Sequence, residues 1–334
     1  MLDEPPIAQI FEVAASAAPL LERARELVEC LDRWLPVEAM WLAVSDPDSN
    51  VCATVGSAGL DPSVLEYLDR PSVAREIQLA QLNVNRPPVS VAELPVHRDE
   101  LPTWAECLVP AGFGDGLGVP LFEPGGPYGG MLTLFTSAAA PSGVLRERLG
   151  QLAPLIARGV STTHSLLASA RLVRGATAGV VLLRDGSTHP LPGLGENPLL
   201  AATSGVVDLA RHALLAGQVY RSFMWPTQNG PHVTGHARMT VLASTDVPPF
   251  VLGTVLMTAE VDTGGLTARE LEVLGFLVDG HSNQQVAQHL VIAPRTVAAH
   301  VEHILHKLDV PTRTLAAVRA EREGCYVPAP RQPS

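Results

Sequence analysis

Lysine is almost missing from this chain of 334 residues. Lys307 is the only lysine, and arginine supplies the other 22 of the 23 Lys and Arg side chains. A phosphate-binding P-loop, a protein kinase and a pyridoxal enzyme each need a lysine at a defined place. A phosphoacceptor receiver domain normally uses one too, and arginine is not equivalent to lysine at such sites. The first 306 residues therefore lack the means for several common activities.

Cysteine and long apolar runs are also scarce. The four cysteines, at positions 30, 52, 107 and 325, form no Cys-x-x-Cys pair, which argues against a disulfide framework, a zinc ribbon or an iron–sulfur site. The longest apolar run, residues 250–261, is far shorter than the roughly 20 residues of a membrane span. The first residues show neither the basic nor the apolar part of a secretion signal. We expect a cytoplasmic protein with no membrane contact and no cofactor.

Charge is unevenly distributed along the chain. The net charge is −11, from 23 Lys and Arg against 34 Asp and Glu. From Gly264 onward seven cationic and seven anionic side chains cancel, and five histidines are added. The excess negative charge therefore lies before Gly264, which indicates that the two parts have different tasks. With 46% hydrophobic residues the chain can build two or three domains.

Residues 7 to 160 are expected to form the first domain. The pattern predicts one helix over 7–34, strands over 38–45 and 51–55, and a hairpin from 113–122 and 128–135. The hairpin reads Gly-Val-Pro-Leu-Phe at 118–122 and Gly-Gly-Met-Leu-Thr-Leu-Phe at 129–135. These runs resemble the sheet core of the GAF family, which implies a sensory domain with a central antiparallel sheet. Trp34, Trp41 and Trp104 are candidates to line a ligand cavity, although core packing is the default.

Residues 142–175 are expected to form a long connecting helix with an apolar seam. The seam either pairs with a second copy of the protein or covers the sheet of its own domain. Pro154 should kink or interrupt it. Beyond it, residues 176–262 predict a small domain with strands at 179–184, 219–225, 237–244 and 251–260 and a helix at 206–216. This small α/β domain is loosely similar to a PAS domain.

The tail, residues 263–328, shows three short helical patterns with clear start and stop signals. Thr267 with Glu270 and Ser282 with Gln285 are capping boxes that begin two of them. Gly280 stands where a helix ends in a left-handed residue, and Pro294 suits the first turn of the third helix. Apolar residues of the third helix recur at helical spacing; they are Val297, Val301, Ile304 and Leu308.

The tail resembles the LuxR/GerE family of bacterial transcriptional regulators from Leu266 to Ala316. The matching positions are Thr267, Arg269, Glu270, Glu272, Val273, Leu274, Gly280, Ser282, Asn283, Ala287, Leu290, Thr296, Val297, His300, Lys307, Leu308, Val310 and Arg313. The resemblance implies a helix-turn-helix domain whose third helix enters the major groove of double-stranded DNA. Its fourth helix, about 312–323, would support a homodimer. The predicted class is thus a multidomain α+β protein with an all-α C-terminal domain.

We expect a set of side chains in the tail to contact DNA, and no catalytic or metal site. They are Thr267, Arg269, Ser282, Asn283, Gln284, Arg295, Thr296, Ala298, Ala299, Glu302, His303, Lys307 and Arg313. At the base-reading positions Ala298 and Ala299 suit thymine methyl groups, and Glu302 suits a cytosine amine. Family members often carry Lys or Arg there and serine in place of Ala293. Few cations predict weak binding by a monomer and useful affinity only for a dimer on an inverted repeat.

Several alternatives stay open. Arg269, Glu270 and Glu272 fit internal pairing, within their helix or with Arg313, as well as DNA contact. A phosphorylation-dependent response regulator can carry the same tail, although Asp46 and Asp48 fit a turn better than a phosphoacceptor site. A redox enzyme of GAF type would need cysteines that meet in space. The signal comes from a small molecule or a protein effector, and RNA polymerase is a further candidate partner.

Overall fold

The chain folds into two compact units. The computed structural model describes residues 6–84, 87–122, 126–137, 143–162, 166–167, 170, 173–229, 232–244, 247–259 and 261–330. Unit 1 contains residues 1–165 and 245–250, and unit 2 contains residues 166–244 and 251–334. Each unit holds a five-stranded antiparallel sheet, which confirms the predicted α+β class. No helix in the described ranges combines the length and the apolar character that crossing a membrane requires.

Unit 1 alternates helices and strands. Its described elements are α1 (Ile7–Ala15), α2 (Leu20–Trp34), β1 (Ala39–Ser45), β2 (Cys52–Ala58), α3 (Pro62–Leu68), α4 (Pro71–Leu79), β3 (Val89–Ser90), a π-helical turn (Thr103–Leu108), β4 (Asp115–Phe122), β5 (Tyr128–Thr136) and α5 (Gly143–Gly159). The strand order is β2-β1-β5-β4-β3. The predicted hairpin is the pair β4 and β5, joined in register from Asp115 opposite Thr136.

The sheet of unit 1 is buried on both faces. Met40 and Leu42 of β1 belong to a core that also contains residues of α1, α2 and α5. Trp41, between them, belongs to a second core with residues of α3, α4 and the π-helical turn. Successive side chains of a strand point to opposite faces, so both faces need apolar residues. This is why β1 and β4 are nearly continuous apolar runs.

The predicted single helix over 7–34 is wrong. Helix α1 ends at Ala15, and α2 begins at Leu20. Pro19 occupies the position before α2 with an extended backbone, and a proline disfavours the helical conformation in the residue before it.

Asp46 follows β1 as part of a turn, where one carboxylate oxygen accepts the backbone N–H groups of Asp48 and Ser49 at 2.9 Å each.

The long helix predicted over 142–175, with a kink or interruption at Pro154, is wrong as a single element, because the described helix ends before residue 160. Helix α5 ends at Gly159, whereas Pro154 lies inside it without ending it. The break is stabilised by Arg23 of α2, whose guanidinium donates hydrogen bonds to the carbonyls of Gly159 (2.8 Å) and Ser161 (3.2 Å). Parts of the predicted helix, residues 142, 163–165, 168–169 and 171–172, lie outside the described residues.

The apolar seam of α5 is used within its own domain. Leu145, Leu149, Leu152 and Ile156 are each at most 2% exposed and belong to the core beneath the sheet. Of the two predicted uses of the seam, the described part supports cover for its own sheet.

Unit 2 begins with a second sheet. Its elements are β6 (Ala178–Leu183), β7 (Thr188–Pro190), α6 (Gly205–Leu215), β8 (Tyr220–Asn229), β9 (His232–Ala243) and β10 (Val251–Thr258), with strand order β7-β6-β10-β9-β8. The four predicted strands and the helix are confirmed with boundary shifts, and β7 was not predicted. Strand β8 is an edge of this sheet.

Four helices complete unit 2. They are α7 (Ala268–Val278), α8 (Asn283–Leu290), α9 (Pro294–Lys307) and α10 (Arg313–Glu323). Both predicted capping boxes are present, and Gly280 has a φ of +78°. One cluster of buried residues continues from the sheet into these helices, and it includes Met239 and Leu274. The sheet and the helices therefore share a core.

Arg23 gives a prediction about the stability of unit 1. Arg23→Met removes the donor from the carbonyls of Gly159 and Ser161, and we expect a loss of about 2–4 kcal/mol in the free energy of unfolding. Urea unfolding followed by tryptophan fluorescence measures it. Arg25→Met on the same helix is the control, because Arg25 is exposed and pairs only loosely with Glu29 at 3.9 Å; its cost should stay below about 0.5 kcal/mol. Equal losses in the two variants would contradict the role of Arg23.

Candidate nucleic-acid interface

Helix α9 presents an exposed face built on short side chains. Its inner side is fixed by Val297 and Ile304, which are both fully buried. The exposed residues that the sequence assigned to DNA are Arg295, Thr296, Ala298, Ala299, Glu302, His303 and Lys307. With two alanines in its centre, this face can lie close to a flat surface, such as the floor of a DNA groove.

The start of α9 matches the expected missing cap. Ala293 precedes the helix and makes no side-chain cap hydrogen bond, and Pro294 occupies the first turn. Proline lacks a backbone donor that would have no helical partner there. In place of a side-chain cap, the backbone carbonyl of Ala293 accepts hydrogen bonds from the N–H groups of Thr296 and Val297.

The turn between α8 and α9 contains a left-handed valine. Val291 has a φ of +53° and is 89% exposed. A β-branched residue in this conformation costs roughly 1–2 kcal/mol relative to its preferred region. The next residue is hydrogen-bonded to helix α8, because the N–H of Ile292 donates to the carbonyl of Ala287 at 3.0 Å. Packing of the flanking helices, not the preference of Val291, therefore sets the angle of this turn.

A buried carboxylate connects α7 to α9. The Glu270 side chain is 4% exposed, and its Oε2 accepts from Lys307 Nζ at 2.7 Å. Burial alone would raise the pKa of Glu270, but hydrogen bonds from Lys307 and Thr267 outweigh it and hold the pKa below its usual value. His303 Nδ1 lies 4.0 Å from the same carboxylate. The only lysine of the chain thus has a structural partner at 37 residues' separation.

Other predicted DNA residues also have partners inside the domain. Arg269 pairs with Glu272 at 2.7 Å and donates to the carbonyl of Leu290 at 2.9 Å. Arg313 donates to Asn283 Oδ1 at 3.1 Å and to the carbonyl of His281. Internal pairing was an expected alternative for Arg269 and Glu272, and it is present. For Glu270 the partner is Lys307, which sequence reasoning did not identify.

The remaining predicted contacts surround the starts of α7 and α8. Thr267 caps α7 by accepting from the N–H of Glu270, and Ser282 caps α8 by accepting from that of Gln285, both at 3.3 Å. Thr267, Ser282 and Gln284 are exposed, whereas Asn283 is half-buried. Among the described residues no group of three or more His, Cys, Asp or Glu side chains is placed to hold a metal ion.

Unit 1 contains an apolar cavity of about 60 Å³. Trp41, Trp104 and Thr133 are among its lining residues, whereas Trp34 packs against the core on the other face of the sheet. The hydroxyl oxygens of Thr103 and Thr133 are buried there without a hydrogen-bond partner in the described structure. The sequence suggested two of these tryptophans, and it offered no signal for the two threonines.

The four cysteines are buried and do not form disulfides. Burial raises the pKa of Cys52 to about 12, with a smaller effect of Asp69 in the same direction. Burial likewise raises the pKa of Cys30, Cys107 and Cys325. Since the thiolate is the reactive form, these cysteines are poor nucleophiles at neutral pH.

Residues 265–320 match the model of the family described as bacterial regulatory proteins, luxR family. The four helices α7 to α10 thus form a LuxR-type helix-turn-helix domain, and the resemblance predicted for the tail is confirmed.

Curated relatives match the same stretch. The transcriptional regulatory protein LiaR of Bacillus subtilis (strain 168) is 47% identical over 57 residues, which are 17% of this chain and 27% of that protein. The transcriptional regulatory protein DegU of Brevibacillus brevis is 44% identical over 59 residues, 18% of this chain and 25% of that protein. The HTH-type transcriptional regulator MalT of Vibrio campbellii is 43% identical over 61 residues, which are 18% of this chain and 7% of that protein. The chain thus spans about a quarter or less of these relatives.

Solved structures are similar over longer stretches. Escherichia coli SdiA is 16% identical, with a TM-score of 0.34, and the match covers 96% of this chain and 97% of that one. A GAF domain from a phosphoenolpyruvate-protein phosphotransferase of Coxiella burnetii is 18% identical, with a TM-score of 0.34, over 49% of this chain and 94% of that one. TM-scores below 0.5 do not establish a shared function.

The contact between Glu270 and Lys307 gives a prediction with a defined pH dependence. Lys307→Met removes a charged donor from a buried carboxylate, so we expect a loss of about 1–3 kcal/mol at pH 7. The folded pKa of Glu270 is depressed, so its contribution is present above the unfolded pKa of about 4.3 and is lost as the pH falls through the folded value. The difference between wild type and variant should therefore shrink below about pH 4.

Thermal unfolding followed by circular dichroism between pH 3 and pH 7 tests this dependence. Lys307→Arg keeps a cation near Glu270 and is the matched control, which should lose less than half as much stability. A difference that is independent of pH would show that the charge of Glu270 does not contribute.

Proposed function

We propose that the protein is a sequence-specific DNA-binding transcription regulator that binds as a homodimer to an inverted repeat in double-stranded DNA. The exposed face of α9 on a LuxR-type domain carries this proposal. In this role Ala298, Ala299 and Glu302 read base edges in the major groove, and Arg295 and Thr296 lie at its margin, where Arg295 contacts a backbone phosphate. A chromosomal target implies a cytoplasmic location.

The other predicted residues hold the DNA backbone. Phosphate contacts position a protein on the duplex without reading its sequence. We assign this role to Thr267, Arg269, Ser282, Asn283, Gln284, His303, Lys307 and Arg313. The internal partners of Arg269, Lys307 and Arg313 support a fixed position for each cation, and a guanidinium has five N–H donors, so it can serve a carbonyl and a phosphate together.

Two copies are needed because the domain carries little positive charge. From Gly264 onward the seven cations and seven anions cancel, so few counterions are released when one domain binds. Two half-sites double the number of contacts. The exposed apolar residues Leu315 (47%) and Val318 (44%) of α10 support this helix as the dimer contact. An RNA polymerase bound at the same promoter is the further partner proposed.

The first unit supplies the signal in this proposal. Its apolar cavity, with the unpartnered hydroxyls of Thr103 and Thr133, supports a small-molecule effector over a protein effector. A buried hydroxyl without a partner costs free energy, and a ligand with one hydrogen-bonding group would recover it. Control of DNA binding requires that the effector prefer one arrangement of the protein over another.

The alternatives have less support. The raised pKa values of the cysteines disfavour a thiol-based redox enzyme. The turn made by Asp46, whose carboxylate accepts backbone N–H groups of its own loop, and the lack of lysine before Lys307 disfavour a phosphorylated response regulator. We therefore propose a regulator without an enzymatic activity.

Selection from random duplexes by the full chain tests the proposed function. We expect enrichment of an inverted repeat from a pool of random 30-base-pair duplexes at about 0.1 M salt. Recovery of no common sequence, both with and without a bacterial cell extract as a source of effector, would contradict specific DNA binding.

Variants in α9 should separate base reading from charge. Arg295→Gln should weaken binding to the selected duplex and to random duplex alike, and reduce the slope of log affinity against log salt by about 1. Glu302→Gln should instead change the preferred base at one position, with a difference of about 1–3 kcal/mol. Fluorescence anisotropy at several salt concentrations measures both. His97→Gln, an exposed substitution in unit 1, is the control; an identical profile for all three variants would contradict the assigned roles.

A further inference from the structure

A short segment after α10 lies between the second sheet and the helix-turn-helix domain. We name residues 324–330 the clasp. It begins at Gly324, which ends α10 with a left-handed backbone at a φ of +63°. Cys325 and Tyr326 are 7% and 2% exposed, so the clasp is part of the core of unit 2.

The clasp is hydrogen-bonded on both sides. The N–H of Met224 on edge strand β8 donates to the carbonyl of Tyr326 at 2.8 Å. The N–H of the next clasp residue, Val327, donates to the carbonyl of Leu271 in α7 at 3.0 Å. Arg221 of β8 also donates to the Tyr326 hydroxyl at 3.2 Å. Two successive residues of one segment therefore connect the sheet with the first helix of the DNA-binding domain.

The path of the clasp across α7 depends on a glycine. A Cβ atom on Gly275 would lie 1.8 Å from the carbonyl oxygen of Val327, which no side chain could occupy. Glycine inside a helix costs about 1 kcal/mol relative to alanine, so its presence in the middle of α7 calls for a structural reason. The close approach of the clasp supplies that reason.

The linker into the domain and the clasp out of it meet. The linker contains Gly264 and Gly265, which both have left-handed backbones and by themselves allow rotation. Cys325 Sγ lies 3.7 Å from the carbonyl of Thr263 at the start of this linker. The domain is therefore held at two adjacent points, and rotation about the linker would break the contacts of the clasp.

The clasp fixes the domain without covering its DNA-binding face. Ala298, Ala299 and Glu302 of α9 are exposed while the clasp is in place. A device that masked DNA binding would bury these side chains. The clasp can thus determine where α9 points, but it does not block α9.

From these contacts we infer that the clasp makes the second sheet and the DNA-binding domain one rigid body, so that the orientation of the sheet, together with the α10 dimer contact, sets the spacing of the two half-sites. This inference rests on the proposed function for its DNA part. A signal that moves the second sheet would then reorient α9, and regulation would act through half-site spacing, not through occlusion.

Gly275→Ala in the full chain tests the inference, because a Cβ expels the carbonyl of Val327 without altering α9. Hydrogen exchange followed by mass spectrometry should show exchange at Met224 and Val327 at least tenfold faster than in the wild type, with unchanged exchange at Ile304. Gly143→Ala is the matched control, since its Cβ would meet no atom within 4 Å. If the amides of Met224 and Val327 exchange as slowly in Gly275→Ala as in the wild type, the inference is overturned.

Binding to DNA tests the second part of the inference, which concerns the spacing of the half-sites. The duplex recovered by selection is compared with versions in which the half-sites are moved apart or together by two base pairs. We expect the wild type to lose at least tenfold in affinity for the altered spacings and Gly275→Ala to lose less than threefold. If Gly275→Ala has released the clasp and still discriminates between the half-site spacings as strongly as the wild type does, the inference is overturned.

A second variant covers the case in which Gly275→Ala unfolds the domain. Val327→Pro deletes the N–H that donates to Leu271 and leaves α7 unchanged. Its expected and contradicting results are those for Gly275→Ala, with the Met224 amide as the only exchange probe, because a proline at position 327 has no N–H to exchange. If the wild type selects no DNA sequence, the proposed function fails, and the exchange measurement still decides whether the clasp holds the two domains together.

Discussion

The arrangement of unit 2 depends on one apolar core that the second sheet shares with the helices of the helix-turn-helix domain. Met239 of the sheet and Leu274 of α7 belong to one buried cluster, and burial of apolar area is the main favourable term in such packing. The missing side chain at Gly275 lets the backbone of residue 327 pack directly against α7. In the proposed arrangement, the helix that enters the DNA groove takes its direction from a sheet that does not itself contact DNA.

The charges of the helical domain serve structure first. Lys307 neutralises a buried carboxylate, and Arg269 and Arg313 cross between helices to reach backbone carbonyls. Cations held in this way lose little side-chain entropy when they meet a phosphate, because their rotamers are already fixed. A domain with few cations can thereby compensate in part for its weak electrostatic attraction to DNA.

The local features of the fold could be predicted from the sequence, and the long-range ones could not. Thr267 with Glu270 and Ser282 with Gln285 determine helix starts within four residues, so reading them needs no tertiary information. The end of α5 depends instead on Arg23, which lies 136 residues away from Gly159. The partner of Glu270 is 37 residues distant. No periodicity in the sequence encodes such pairs.

The same distinction explains which parts of the candidate site could be predicted from the sequence. The exposed face of α9 follows from helical spacing, since Val297 and Ile304 fix which side is buried. The clasp was missed because Tyr326 and Val327 lie in a stretch without periodicity. A glycine in the middle of α7 was the one available signal, as a helix rarely tolerates glycine there without a packing reason.

Strand β8 is an edge of its sheet, and edge strands present unpaired backbone groups to which other chains can add. The hydrogen bond from Met224 to Tyr326 occupies one backbone donor of that edge. Displacement of the clasp would leave β8 open as a template for strand addition by a neighbouring molecule. The segment proposed to orient one domain would thus also shield part of an edge strand from a neighbouring molecule.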